Sequence, residues 1–278
     1  MANSQESLKT DDPLTDFEPL ELTFPDHEGN PATRRVYRSG EGPAVVVMHE
    51  MPGLSPHVAR FARWTRDAGF TVWMPSLFGR DGAVPEAKEG GEVFRRMCVA
   101  REFNVLAGKG ASPVTVWLRA LARFAHMECG GRGVGAVGMC FTGNFALTMM
   151  LDESVLVPVL SQPSLPLDNP AALESDADEL AQIRERIERE DLSVLAYRFE
   201  GDRICQAARF EAYRAALGPR FIGKTLPDVA ANSDVSPFFA EHVNYPHSVL
   251  TQHLIDAAGE PTVAARDEII AALHARLT

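Results

Sequence analysis

Cys140 stands in Gly138-Met139-Cys140-Phe141-Thr142-Gly143, directly after the apolar run Val134 to Val137 and at the start of a helical pattern that reaches Leu151. A chain that turns this sharply from a buried strand into a helix lifts the residue at its apex above the sheet. Small residues are needed two positions before and after that apex, because the backbone crowds there. Gly138 and Thr142 hold those positions, and Gly143 follows. A thiol so placed faces a helix N-terminus, whose free N–H groups and dipole favour the thiolate, and the chemistry it offers is nucleophilic attack. The alternative reading makes Cys140 a small buried filler.

The overlapping stretch Gly133-Val134-Gly135-Ala136-Val137-Gly138 also spells G-x-G-x-x-G. A dinucleotide-binding turn needs a strand before its first glycine and an acidic residue on a later strand. Residues 126–132 (HMECGGR) make no strand, and Asp152 and Glu153 close a helical pattern. The context therefore disfavours a nucleotide, and no cofactor is expected.

A cysteine nucleophile needs a base, and the base needs an orienting acid. With a turn-mounted nucleophile of this kind, the acid follows a later strand and the histidine comes last. Asp202 fits in Glu200-Gly201-Asp202, after the strand-like Val194 to Phe199, although a plain helix N-cap would look the same. His247, in Asn244-Tyr245-Pro246-His247-Ser248, lies on the loop beyond the last strand. His242 and His253 compete with it, and His253 falls in a stretch, Val249 to Ala258, that reads as a surface helix. The three histidines match no established zinc spacing, and no metal is expected.

These residues must be positioned by alternating strands and helices. Val45 to Met48, Phe70 to Met74, Val134 to Val137, Val155 to Leu160, Val194 to Phe199 and Phe221 to Leu226 read as strands. Helical patterns fall between them at 56–68, 112–127, 171–190 and 203–217, and a closing helix runs over 262–277. Ser112 and Pro113 look like the cap and first turn of the second of these. The pattern predicts an α/β fold, with a mostly parallel sheet flanked by helices on both faces. Residues 1–15 read as a disordered leader, 16–278 as one domain, and about 165–191 as a helical insertion over the site.

The 278 residues carry a net charge of −11, with Lys and Arg scattered, which argues against nucleic acid or an anionic membrane as partner. Four dispersed cysteines and a polar N-terminus without an apolar core predict a cytoplasmic protein acting on a small molecule.

Taken together, Gly138 to Gly143, the Glu200-Gly201-Asp202 turn, Pro246-His247-Ser248 and Val45-Val46-Val47-Met48-His49-Glu50-Met51-Pro52-Gly53 resemble the dienelactone hydrolase family of α/β-hydrolases. The resemblance implies a Cys140–Asp202–His247 triad and a glutamate, here Glu50, that contacts the resting cysteine and helps take up its proton. The turn geometry assigns the oxyanion donors to the backbone N–H groups of Phe141 and Met51. The family holds a substrate carboxylate with two arginines. Arg80 matches the first, whereas Thr251 lies near the place of the second. The expected activity is cleavage of an ester or lactone through an acyl-cysteine. Thioester cleavage or acyl transfer on the same triad, and small-molecule binding by an idle hydrolase fold, are the alternatives.

Overall fold

Short apolar runs bounded by Pro and Gly become the strands of one eight-stranded sheet in the structure, a computed structural model that describes residues 7–278. The strands are β1 (Glu18–Pro25), β2 (Pro31–Ser39), β3 (Ala44–Val47), β4 (Thr71–Pro75), β5 (Val134–Met139), β6 (Val155–Ser161), β7 (Val194–Phe199) and β8 (Phe221–Leu226). Their spatial order is β1-β2-β4-β3-β5-β6-β7-β8. β3 to β8 pair in parallel, and the β1–β2 hairpin adds antiparallel strands at one edge.

The helices are α1 (Pro56–Asp67), α2 (Ala87–Met97), α3 (Val114–Cys129), α4 (Phe145–Thr148), α5 (Ala177–Arg189), α6 (Ala207–Leu217), α7 (Pro237–His242) and α8 (Pro261–Leu277). They cover both faces of the sheet, because the central strands are buried on both sides. Val45, Val47, Val137 and Met139 join the core under α1 and α8. Their neighbours Val46, Met48 and Ala136 join the other, with Trp117, Leu118 and Leu121 of α3. That alternation follows from the two-residue period of a strand. Among the described residues, no helix is long and apolar enough to cross a membrane.

Several expectations change. Residues 1–6 of the expected leader lie outside the described residues, but 7–15 are tied to the body. Leu8 and Leu14 are buried. Asp12 pairs with Arg63 of α1 at 2.6 Å, and Asp11 with Arg80 at 2.6 Å. Ion pairs and two leucines thus hold a segment whose composition alone argued for disorder. The expected insertion is the crossover from β6 to β7. Its helix, α5, packs against α6, and Arg186 donates to the carbonyls of Met150, Asp152, Glu153 and Val155. Those carbonyls lie before β6 or at its first residue, so the helix packs at the end of β6 opposite Cys140. Residues 249–258 form turns and a bridge from Leu254 to Ala231 rather than a helix.

Ser112 is not the cap of α3, which starts at Val114. Its N–H donates to Glu174 Oε1 at 2.8 Å, and its hydroxyl donates to the same oxygen. Burial pushes the Glu174 carboxyl up to about 8, against these hydrogen bonds, which oppose the shift. Glu174 therefore favours the protonated form in the fold. Stability from this group is full below its ordinary 4.5 and is lost as pH rises towards about 8. Glu174→Gln is expected to flatten the decline of stability between pH 5 and 8, read as urea midpoints across that range. An unchanged slope would show that Glu174 is already ionised at neutral pH.

Candidate active site

Cys140, Asp202, His247 and Glu50 follow β5, β7, β8 and β3, so four loops at the C-terminal edge of the sheet bring them together. Cys140 has φ +53°, a left-handed conformation that a non-glycine residue adopts only under constraint. The constraint is visible. A Cβ on Gly138 would lie 2.2 Å from the Thr142 carbonyl oxygen, and one on Gly143 would lie 2.6 Å from Pro163 Cα. Met139 N–H donates to Thr142 Oγ1 at 3.0 Å, and Ser164 N–H to the Cys140 carbonyl at 3.0 Å. The turn is thus closed from within and braced by the loop after β6.

His247 and Asp202 are buried, and Asp202 Oδ2 lies 2.7 Å from His247 Nδ1. Asp202 Oδ1 accepts the N–H groups of Ile204 at 2.9 Å and Cys205 at 3.0 Å, so the loop bonding read as an N-cap and the histidine contact coexist. The other ring nitrogen, Nε2, is buried without a hydrogen-bond partner among the described residues. Burial disfavours the charged ring, but the Asp202 carboxylate and the adjacent Cys140 sulfur outweigh it and hold His247 well above its usual value. An imidazolium beside a thiol favours the thiolate. Cys140 is half-buried, whereas its partners are shielded.

Glu50 is buried but makes no hydrogen bond to Cys140. Its carboxylate accepts the Ser248 hydroxyl at 2.6 Å, the Thr251 hydroxyl, and Gln162 Nε2 at 3.3 Å. These donors turn it towards the loop that carries His247, which corrects the expected resting contact. Burial raises its carboxyl, opposed by the two hydroxyls. Gln162 and Ser164 had no motif to mark them, and Ser248 entered only as the neighbour of His247. Ser164 Oγ lies 3.4 Å from Cys140 Sγ, and Gln162 Oε1 accepts Val249 N–H at 3.2 Å.

His253, expected on a surface helix, is buried, and its Nδ1 accepts the N–H of Ser248 at 3.0 Å. Burial and the neighbouring His247 drive it down to about 3, so it supports the loop as a neutral ring. His242 lies apart, 3.1 Å from the Ala87 carbonyl. Among the described residues, no hydrogen bond from the N–H groups of Phe141 or Met51 joins them to another loop or turn. Phe78, Phe103 and Phe141 meet edge to face, with the Phe141 ring 5.5 Å from Phe78 and 5.3 Å from Phe103, Phe145 stacks on Phe103 at 6.1 Å, and Cys140 packs against the core that contains them.

Arg80 sits apart from this assembly. Its guanidinium is half-exposed and lies between Asp11 at 2.6 Å and Glu89 at 3.3 Å. Both acids neutralise it, and the expected anion contact is instead the clasp of the N-terminal segment.

An eight-stranded, mostly parallel sheet with a strained cysteine at the end of its fifth strand defines an α/β-hydrolase fold. Residues 33–160 match the dienelactone hydrolase family. The match includes Glu50 and Cys140 and ends before Asp202 and His247. A carboxymethylenebutenolidase of Pseudomonas sp. (strain P51) is 30% identical over 109 residues, which are 38% of this chain and 44% of the relative. The chain thus spans less than half of that relative's length.

Among solved structures, a dienelactone hydrolase-like promiscuous phosphotriesterase from metagenomic libraries is similar over 95% of this chain and 100% of its own, with TM-score 0.59 and 18% identity. The Pyrococcus furiosus esterase Pf2001 is similar over 94% of both chains, with TM-score 0.56 and 8% identity. At these identities the likeness is one of fold.

Proposed function

We propose that the protein hydrolyses an ester or lactone of a small carboxylic acid through an acyl-cysteine formed on Cys140. One observation carries the reading. A cysteine held at φ +53° on a strand-to-helix turn shares a site with a buried His247–Asp202 pair at 2.7 Å. A structural filler needs neither the strain nor the pair.

Cys140 Sγ attacks the substrate carbonyl carbon, and the thiol proton passes to His247 Nε2. The carbonyl π electrons move onto oxygen, where the N–H groups of Phe141 and Met51 stabilise the charge, by roughly 3–4 kcal/mol for each well-placed donor. The tetrahedral intermediate collapses by breaking the C–O bond, and His247 returns its proton to the leaving alkoxide. In a lactone that alkoxide stays attached to the acyl group. Water then attacks the thioester, with His247 taking its proton and the Cys140 thiolate as leaving group. Asp202 keeps the ring oriented throughout, and Glu50 positions the loop of His247 through Ser248.

The test is to trap the intermediate. Acid quench during turnover of a 4-nitrophenyl ester is expected to leave the acyl mass on the tryptic peptide containing Cys140. The same quench of Cys140→Ala is expected to leave none. A native enzyme that turns over without labelling that peptide at any quench time, while Cys140→Ala retains full activity, would put the chemistry elsewhere.

A further inference from the structure

The pairing of β6 with β5 sets Ser161 opposite Met139, so the residues that follow the two strands leave the sheet side by side. Gln162, the first residue after β6, is fully buried and has φ +35°. Like Cys140, it is a non-glycine residue in a left-handed conformation, which persists only where its surroundings impose it. Those surroundings come from three directions. Its N–H donates to the Tyr197 carbonyl at 2.7 Å and its Nε2 to Glu50 at 3.3 Å. Its Oε1 accepts the Val249 N–H at 3.2 Å and the Ser161 hydroxyl. Strain held this firmly aims the chain, and two residues later the chain arrives at the nucleophile.

Ser164 meets Cys140 twice. Its N–H donates to the Cys140 carbonyl at 3.0 Å, and its Oγ lies 3.4 Å from Sγ, within hydrogen-bond reach of sulfur. The same Oγ lies 3.0 Å from the Gln162 carbonyl oxygen. A hydroxyl has one hydrogen to give, so these two acceptors compete for it. A thiol sulfur accepts weakly, and beside it the hydrogen belongs on the carbonyl. A thiolate carries a full charge and accepts strongly, and rotation about the Cβ–Oγ bond is enough to reach it. Ser164 is buried, so bulk water does not compete for the hydroxyl.

We propose that Ser164 is a catalytic residue whose hydroxyl turns from the Gln162 carbonyl to the Cys140 sulfur whenever that sulfur is charged. Its place in the cycle rests on the acyl-cysteine reading above. The sulfur is charged once the thiol proton has passed to His247 Nε2, and again when the thiolate leaves in deacylation. The hydrogen stays on Oγ throughout, and Ser164 forms no bond to substrate. Its contribution is to favour thiolate over thiol and to ease the departure of the sulfur.

Iodoacetamide alkylation against pH, read as mass on the tryptic peptide containing Cys140, tests the donor without turnover. The pH midpoint of alkylation is expected to lie about one unit higher in Ser164→Ala than in native protein. Ser164→Thr, which keeps the hydroxyl, is expected to restore it. The second measurement is kcat/KM for 4-nitrophenyl butyrate across the same pH range. Ser164→Ala is expected to lose about tenfold below the native midpoint and to converge on native protein as pH rises. A brace of the turn would instead lower activity equally at every pH.

An alkylation midpoint that does not move in Ser164→Ala would overturn the proposal, whatever happens to turnover. A midpoint that moves in a protein that cleaves no ester would keep Ser164 as the donor and sink the hydrolase reading. Ester cleavage that depends on Cys140, with an unmoved midpoint, would do the reverse.

Discussion

Asp202→Asn is expected to lower kcat for ester cleavage by about three to four orders of magnitude while leaving the fold intact, by analogy with the loss when the orienting aspartate of a hydrolase triad is replaced. The reason is which atom carries a proton. Asp202 Oδ2 faces His247 Nδ1 at 2.7 Å, so Nδ1 carries the hydrogen and Nε2 is free to accept one from the thiol. An asparagine that keeps its carbonyl oxygen on Ile204 and Cys205 N–H places its NH2 group against Nδ1. The ring must then carry its hydrogen on Nε2, where it cannot serve as base. The same substitution removes the carboxylate that keeps His247 well above its usual value. Because the loop hydrogen bonds survive in the asparagine variant, its melting temperature is expected to stay near native. Activity within tenfold of native would show that His247 does not depend on this partner. Asp202→Ala is a poorer test, since it also strips the loop of two acceptors.

The second large effect is expected at Gly138→Ala. The added methyl would sit 2.2 Å from the Thr142 carbonyl oxygen and 3.0 Å from Gly143 Cα. Both are backbone atoms of the turn, so no side chain can move aside to make room. Relief requires opening the turn that holds Cys140 at φ +53°. Overpacking a core typically costs about 1–3 kcal/mol, and a clash with backbone belongs at or above the top of that range. A fall in melting temperature of roughly 5–10 °C is expected, together with loss of Cys140 acylation in the trapping experiment. A variant that keeps native stability and acylation would show that the turn has slack that its close contacts do not suggest.

Much of this molecule was legible in its sequence, and the physical reason differs from element to element. The parallel strands were readable because burial on both faces forces continuous apolar runs, as in Val45 to Met48 and Val194 to Phe199. Cys140 was readable because its turn tolerates only small neighbours, and Gly138 and Gly143 stand where a Cβ would collide with backbone. Asp202 and His247 could be placed near Cys140 because strand order fixes which loops meet at that edge of the sheet. The β1–β2 hairpin went unread, although Leu20, Leu22 and Phe24 alternate with Glu21 and Thr23. An edge strand shows only this weak period-two signal. Helix α2 has its apolar side marked by Val93, Phe94 and Met97, all in its second half, too short a stripe to stand out.

What the sequence by itself determined is the set of local constraints: where the chain is buried, where it turns, and which residue types arrive at the C-terminal edge of the sheet. What only the tertiary structure decided is which of those side chains meet. The sequence neighbours of Glu50 are equally compatible with a side chain facing Cys140 and one facing the loop of His247. Ser248, Thr251 and Gln162, some 110 to 200 positions away along the chain, supply the donors that turn it to the loop. Arg80 and Arg203 are both arginines on loops at the same edge. One is neutralised by Asp11 and Glu89, and the other lies over Tyr245. Charge pairing over such separations leaves no periodic trace in the chain, because it is set by where folding brings the loops.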